Sequence, residues 1–194
     1  MRKNISSYIA CLLMAISFDS NAQSAYEEGD NVISAGIGLG SSYGSFTYGR
    51  QSPAINLQYE RAIWPLGNGI VSLGAYAGYK SYHYSGNYYG GYTYEQRWKY
   101  TLLGVRGAWH LQSINGSALN KWDVYAGIMV SYNILNYSYS DNDPYLDYTS
   151  DSYGSGIGFS EFIGARYFLH PKFAVSAELG YGVAFLNLGL AYKF

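Results

Sequence analysis

NLGLAYKF (Asn187–Phe194) closes the sequence, and its apolar residues alternate with small or polar ones. Its leucines and aromatic residues share one parity, and its asparagine, glycine and lysine share the other. An alternation of period two is typical of a β-strand with one apolar face. Chain ends usually fray into polar residues unless the fold ties them down. We therefore expect this stretch to be a paired strand and not a loose tail.

The same alternation recurs along the rest of the chain. Seven further segments show it, at 31–40, 54–60, 70–79, 99–111, 122–132, 158–169 and 173–181. The apolar parity shifts by an odd step between Tyr181 and Leu186, which one strand cannot do, so a tight turn near Gly182 separates the last two segments. The sequence therefore predicts eight strands.

The two faces of these strands differ in an informative way. One is apolar, and the other is dominated by Gly, Ser and Ala with isolated charges. A soluble barrel or sandwich would carry a richly charged second face. A membrane barrel turns its apolar face to lipid and carries aromatic girdles. Tyr and Trp lie near the segment ends, at Tyr59, Tyr79, Trp109, Trp122, Tyr132, Tyr167 and Tyr192. The pattern favours an all-β, eight-stranded antiparallel up-and-down transmembrane β-barrel over residues 31–194, with the soluble fold as the alternative.

The N-terminal region has the pattern of an export signal. Arg2 and Lys3 precede a short apolar run, and small residues follow it up to Ala22. We expect residues 1–22 to be a cleaved secretory signal peptide and residues 23–30 a short periplasmic tail. Cys11, the one cysteine, lies within the signal, so no disulfide or cysteine metal site is expected in the exported protein. The near-neutral net charge of −1 gives no support for nucleic-acid binding.

The connections between segments alternate in length. Those expected on the periplasmic side are short, at 62–69, 112–121 and 170–172, and those on the outer side are long, at 41–53, 80–96 and 133–153. Short inner turns and long outer loops are the rule in outer-membrane barrels.

The terminal stretch also carries a resemblance. Asn187, Gly189, Tyr192 and Phe194 match the C-terminal signature of bacterial outer-membrane barrels: a polar residue, a glycine two places on, and aromatics third from last and last. The chain over 31–194 resembles small eight-stranded outer-membrane β-barrel proteins of the OmpX and OmpA transmembrane-domain type, and 163–183 resembles their C-terminal region.

That resemblance implies a location and a set of partners. It implies a monomer in the outer membrane of a Gram-negative cell, in contact with outer-membrane lipids, whose last strand the barrel assembly machinery recognises. No peptidoglycan-binding domain follows the barrel in this sequence, so cell-wall anchoring is not carried over.

Several charged residues fall on the parity that faces the interior. These are Glu60, Arg106, Arg166, Glu178 and Lys193. Buried charges are costly unless paired, so we expect a polar network that fills the barrel. A gated proton or ion path is the alternative, although eight strands leave no open aqueous channel. Glu161 falls on the apolar parity, and we expect it either above the hydrocarbon or at a bulge.

One loop segment has the residue types of a hydrolase. His83 and Ser85, with Glu95, are similar to the His-x-Ser of outer-membrane lipid A deacylases. A hydrolase needs its nucleophile and base rigidly held within hydrogen-bond reach, whereas this segment is rich in glycine. We expect no enzyme and keep a lipid-modifying hydrolase as the alternative. His110 and His170 are expected at the membrane interface.

Tyrosine is concentrated in the outer loops. The residues singled out are Tyr82, Tyr84, Tyr88, Tyr89, Tyr92 and Tyr94 in the second loop, and Tyr145 and Tyr148 in the third. Tyrosine with Gly, Ser and Asn is typical of adaptable recognition surfaces. Cross-strand pairing is the alternative, because tyrosine also favours strands. The third loop carries four aspartates, which we expect to be solvated and not to bind calcium.

Together these patterns predict a non-enzymatic integral outer-membrane barrel with a plugged interior and no metal or cofactor. It would contribute to envelope integrity, or to surface recognition of an extracellular glycan or protein.

Overall fold

The computed structural model describes residues 25–40, 50–87, 93–114, 117–141 and 154–194. The described strands are β1 (Asn31–Leu39), β2 (Arg50–Gln51), β3 (Ala54–Leu66), β4 (Gly69–Asn87), β5 (Thr93–Leu111), β6 (Ser113–Ile114), β7 (Ser117–Ala118), β8 (Trp122–Asp141), β9 (Gly156–His170), β10 (Phe173–Gly180) and β11 (Leu186–Lys193). In these ranges no helix is long and apolar enough to cross a membrane.

Eight of these strands form a closed antiparallel ring. Its order is β1, β3, β4, β5, β8, β9, β10, β11 and back to β1. The short strand β2 pairs with β4 above the start of β3, and β6 pairs with β7 in a small hairpin. The predicted eight-stranded up-and-down barrel is confirmed.

The last strand closes the ring. β11 pairs with β1 along its whole length, with Leu188 opposite Ile37 and Lys193 opposite Val32. Closure leaves no open sheet edge, which a barrel in lipid requires. The prediction that the terminal stretch is a paired strand is therefore confirmed.

The connection between β3 and β4 is tighter than predicted. β3 continues to Leu66 and β4 begins at Gly69, so the turn is Gly67 and Asn68, with Gly67 in the left-handed region at φ 63°. A β-bulge between Ala62 and Trp64 interrupts the register. The bulge breaks the alternation in the sequence, which is why the strand seemed to end before Ala62.

Three strands extend past the rest of the barrel. β4 runs to Asn87, β5 starts at Thr93 and β8 runs to Asp141, so the predicted loops at 80–96 and 133–153 were wrong in their extent. We call the paired residues 81–87, 93–99 and 136–141 the outer extension. In the outer extension the face that is apolar lower on the same strands carries polar residues such as Ser81, His83 and Arg97, so the apolar parity is lost there.

The interior is layered. An apolar cluster fills the half near the outer extension, and its members are Ala54, Tyr76, Leu102, Ala108, Tyr125, Met129, Phe162, Val183 and Ala184. A second cluster fills the opposite end, where the chain enters the barrel at the start of β1. Its members are Ala25, Tyr26, Val32, Ala62, Ile70, Phe168, Ala174 and Ala191. Charged side chains lie between these two clusters.

The connection between β10 and β11 turns inward. Val183 and Ala184 are completely buried, and the backbone N–H of Val183 donates to the Tyr76 hydroxyl at 3.2 Å. The tight connection expected near Gly182 thus lies across the outer end of the barrel interior.

Candidate functional site: the charged interior and the outer extension

Arg106 lies at the centre of a buried charged layer. Its Nε is 2.9 Å from Oε1 of Glu60, and its two terminal nitrogens donate to the carboxylate of Glu178 at 3.3 and 2.6 Å. The guanidinium also lies over the ring of Phe162, with Cζ 3.8 Å from the ring centroid. Since Arg106 and Glu60 are each only 1 % exposed, the pairing takes place out of water.

Arg166 continues the layer toward the end at which the chain enters. It donates to the other oxygen of Glu60 and to Oδ2 of Asp123, the latter at 2.8 Å. Its guanidinium lies over the Tyr125 ring at 4.6 Å. Glu60 thus bridges both arginines, and each arginine has two carboxylate partners.

His110 is a further member of the charged layer. It was expected at the membrane interface, but it is completely buried, with Nδ1 2.7 Å from Oδ1 of Asp123 and Nε2 2.9 Å from Oγ of Ser72. This is the hydrogen-bonded order of a Ser–His–Asp triad. Ser72 has no exposed surface, so a substrate cannot reach its hydroxyl in this arrangement.

Amide side chains complete the layer on its outer side. Gln58 Nε2 donates to Glu178 at 3.4 Å and to Asn56 at 3.3 Å, and Asn56 in turn donates to Asn187 at 2.9 Å. The Tyr125 hydroxyl donates to Glu178 at 3.1 Å. The hydrogen-bonded polar groups therefore form one connected layer that separates the two apolar clusters.

Lys193 lies apart from the other predicted interior charges. Its Nζ is 3.1 Å from Oδ2 of Asp30 and donates to the carbonyl of Ala25 at 3.0 Å. It therefore contacts the segment before β1, whereas Glu60, Arg106, Arg166 and Glu178 contact one another.

The charged layer has a clear chemical character. It holds two guanidiniums and three carboxylates in a space without room for an open channel. Arginine does not release its proton at physiological pH, so Arg106 and Arg166 keep their positive charges and repel cations and protons from the barrel interior. The arrangement favours a closed interior.

Two of the three residues of the hydrolase alternative, His83 and Glu95, are held by Arg97. Arg97 Nε donates to Nδ1 of His83 at 3.2 Å, and its NH2 group donates to Glu95 at 3.1 Å. A triad would need Glu95 on His83 and Ser85 on the other ring nitrogen. Glu95 instead pairs with Arg97. The sequence-predicted set is brought to one strand pair without the contacts of a triad.

Some of the singled-out tyrosines lie on strands of the outer extension, not in loops. The Tyr82 ring meets Tyr100 edge-on at 5.8 Å, and Tyr94 contacts Tyr84 at 5.8 Å and Tyr139 at 6.4 Å. These contacts fit the cross-strand alternative for Tyr82, Tyr84 and Tyr94. Tyr88, Tyr89, Tyr92, Tyr145 and Tyr148 lie outside the described residues.

The terminal residues singled out for assembly share one strand. Asn187 is buried and faces the interior, and Tyr192 contacts Phe173 at 4.9 Å. Phe194 stacks beside Tyr192 at 6.0 Å and stays more than half exposed. Gly189 lies opposite Gly36, where an added Cβ would come within 2.5 Å of the Ala35 carbonyl oxygen.

Glu161 is exposed on the outward face of β9. The pairing of β9 with β8 is continuous around it, with Glu161 opposite Ile128, so no bulge resets the register there. β10 ends at Gly180, opposite Phe162, so Glu161 of β9 lies one residue beyond the end of β10.

The described ranges hold no cluster of metal-ligating side chains. No group of three or more His, Cys, Asp or Glu side chains there is placed to hold an ion. Asp143, Asp147 and Asp151 of the aspartate-rich loop lie outside those ranges.

Comparison with known proteins gives likeness of fold only. No protein-family model and no curated protein sequence matches the chain. The solved structure of Ail, the attachment invasion locus protein of Yersinia pestis, in complex with the heparin analogue sucrose octasulfate, is 14% identical over 87% of this chain and 100% of its own, with a TM-score of 0.46. The N-terminal β-barrel domain of Pseudomonas aeruginosa OprF is 13% identical over 86% of this chain and 98% of its own, with a TM-score of 0.44.

A third solved structure is matched over only part of its own length. The transport unit of the autotransporter AIDA-I from Escherichia coli is 17% identical over 90% of this chain and 59% of its own, with a TM-score of 0.37. The protein is an eight-stranded β-barrel. That conclusion stands on the strand pairing of this chain.

Proposed function

We propose that this protein is an integral outer-membrane barrel without catalytic activity, closed inside and carrying a recognition surface around its outer extension. The observation that carries the proposal is the outward face of the ring. Every ring strand exposes a large apolar side chain there, and one from each is Ile37, Leu57, Leu73, Val105, Val130, Ile163, Val175 and Leu190.

The extent of this exposure is unusual for a protein in water. Val105 is 67% exposed and Leu190 is 68% exposed, while Arg106, next to Val105 on the same strand, is buried inside. Soluble monomers rarely expose apolar patches larger than a few hundred Å². Lipid removes the cost of such a belt, and the closed hydrogen-bonded ring satisfies the backbone without water.

Aromatic pairs lie along the rim at the end where the chain enters. Trp122 contacts Tyr167 at 4.8 Å, and Phe173 contacts Tyr192 at 4.9 Å. Amphipathic aromatic side chains are enriched at both membrane interfaces of such barrels. Their position next to the apolar belt supports a membrane boundary at this rim.

The recognition part of the proposal rests on the outer extension. Its outward face is polar, carrying Ser81, His83, Ser85, Glu95 and Arg97, and tyrosines lie on its other face and in the adjoining sequence. Tyrosine beside Gly, Ser and Asn offers large amphipathic area at small entropic cost. We propose an extracellular glycan or protein as the ligand.

Replacing Leu190 by arginine tests the membrane belt. A charge on the lipid face near mid-bilayer costs about 2–4 kcal/mol, so Leu190→Arg should lower the free energy of unfolding by that amount in lipid vesicles. Ser140→Arg, on the polar outward face of the extension and opposite Glu95, should cost less than about 0.5 kcal/mol. Urea titration of vesicle-folded protein measures both values. Equal effects of the two variants, or folding in buffer without lipid or detergent, would contradict a membrane barrel.

A further inference from the structure

The six residues before β1 lie across one end of the barrel, and the first two of them are buried. We call Ala25–Asp30 the stopper segment, and we call the barrel end formed by the turns at 67–68 and 171–172 the entry mouth. Tyr26 is only 2% exposed and Ala25 is also buried. A polar stretch that precedes a first strand usually frays, so the burial of this one needs an explanation.

Side chains from two separate strands hold the backbone of the segment. Gln112, just after β5, donates to the Tyr26 carbonyl at 2.9 Å, and Lys193 of β11 donates to the Ala25 carbonyl at 3.0 Å. Lys193 also pairs with Asp30 at 3.1 Å. The segment is thus attached to more than one side of the mouth.

Its own backbone is bonded to the barrel as well. The Ala25 N–H donates to the Leu119 carbonyl at 3.2 Å, and the Gly29 N–H donates to the Ala62 carbonyl at 3.1 Å. Ala62 returns a bond from its N–H to the Asp30 carbonyl at 2.9 Å. These contacts fix the segment across the mouth without a strand of its own.

The Tyr26 side chain enters furthest. Its ring centroid is 4.4 Å from that of His110, and the apolar cluster around it includes Ile70, Phe168 and Ala174. The ring therefore lies between the solution at the entry mouth and the His110–Asp123 end of the charged layer. Burial raises the pKa of the Tyr26 hydroxyl well above its ordinary value, and the nearby Glu60 carboxylate raises it further, so the phenol is neutral.

We propose that the entry mouth is a binding site for a single phenol ring, which the chain fills with its own Tyr26, and that this occupancy seals His110 from solution. The site has apolar walls from Ile70, Phe168 and Ala174 and an imidazole face from His110. Phenols are the ligand class that fits, because the ring held here is itself a phenol and lies against the His110 imidazole and the apolar walls.

Chemical modification of His110 in the full chain tests the seal. The probe is diethylpyrocarbonate, which modifies accessible imidazole nitrogens, and peptide mass spectrometry reads each histidine of detergent-folded protein separately. In the unaltered chain His110 should be protected while exposed His170 reacts. In Tyr26→Ala, His110 should react at least about tenfold faster, since local opening then controls its access.

Rescue by a small molecule tests the binding site itself. Tyr26→Ala leaves a ring-sized cavity, and apolar cavities of that size take up small aromatic molecules. Added p-cresol should restore the protection of His110 in Tyr26→Ala and leave the labelling of His170 unchanged. Tyr181→Ala, which removes an exposed tyrosine at the opposite end, should leave His110 protected without p-cresol.

A milder variant covers the case in which Tyr26→Ala does not fold. Lys193→Met keeps the ring but removes the Asp30 pair and the bond to Ala25, so His110 should react about threefold faster. Rapid labelling of His110 in the unaltered chain would overturn the inference. Unchanged protection in the folded variants, or p-cresol without effect on Tyr26→Ala, would do the same. All of these measurements are made in detergent, so they do not depend on the proposed location or ligand.

Discussion

Arg106 on β5 and Glu178 on β10 are joined by two hydrogen bonds, although their strands are not neighbours in the sheet. The pair therefore crosses the barrel interior and ties opposite walls together. Both side chains are buried, so neither can recover water contacts if its partner is lost. Removing one member of a buried pair leaves an uncompensated charge.

Glu178→Gln should accordingly destabilise the barrel strongly. We expect the free energy of unfolding to fall by about 3–5 kcal/mol, measured by urea titration of vesicle-folded protein. Glu95→Gln is the matched control, because its pair with Arg97 is exposed and should be worth less than about 1 kcal/mol. Equal losses in the two variants would mean that the crossing pair contributes little to holding the walls together.

The side-chain parity of the interior could be predicted from the sequence, but its pairing could not. Alternation placed Glu60, Arg106, Arg166 and Glu178 on the inner face, and the structure brings these four together. Asp123 also lies on the inner face, and nothing in the sequence pattern indicates its bridge to Arg166. Alternation says which face a residue occupies, whereas the register between strands decides which residues meet.

Two features lacked the alternation of apolar with small residues that marks the other strands. Tyr26 is a single aromatic in a polar stretch, and its burial depends on a cavity that many strands build together. The outer extension carries polar residues on one face and tyrosine on the other, so its strands could not be told from a tyrosine-rich loop. In both cases tertiary contacts, which local sequence does not report, determine the structure.

The tyrosines of the second outer loop are expected to bind a glycan. Proteoliposomes carrying the folded protein should bind a glycan class on a printed array, and replacing Tyr88, Tyr89 and Tyr92 by serine should remove most of that binding. Ser85→Ala is the control, since it leaves these tyrosines intact and should bind as the unaltered protein does.

The same variants separate the alternatives. If Ser85→Ala lowered the rate at which the proteoliposomes cleave lipid esters, a hydrolase at the outer extension would be favoured instead. Binding that persists in the serine-substituted variant would locate recognition elsewhere. An array without any bound glycan would favour a protein ligand, or a role in envelope integrity through the barrel itself.

Phe194 closes the ring through its backbone. Its N–H donates to the Asn31 carbonyl at 2.9 Å, and the Asn31 N–H donates to the Phe194 carbonyl at 3.2 Å. Any residue can make those two bonds, and the phenylalanine ring is 57% exposed beside Tyr192. The ring itself therefore contributes little to the folded barrel.

This separation predicts different outcomes in the cell and in the test tube. Phe194→Ser should unfold within about 1 kcal/mol of the unaltered protein when refolded in detergent, because it loses an exposed side chain. In cells we expect normal export but a severalfold lower level in the outer membrane, because the assembly machinery would no longer recognise the last strand.

Phe185→Ser, which removes an exposed aromatic just before the same strand, is the control and should assemble normally. Heat-dependent gel mobility of membrane fractions measures assembly. Normal surface levels of Phe194→Ser would contradict a recognition role, and a large loss of stability in detergent would make the terminal ring a packing residue instead.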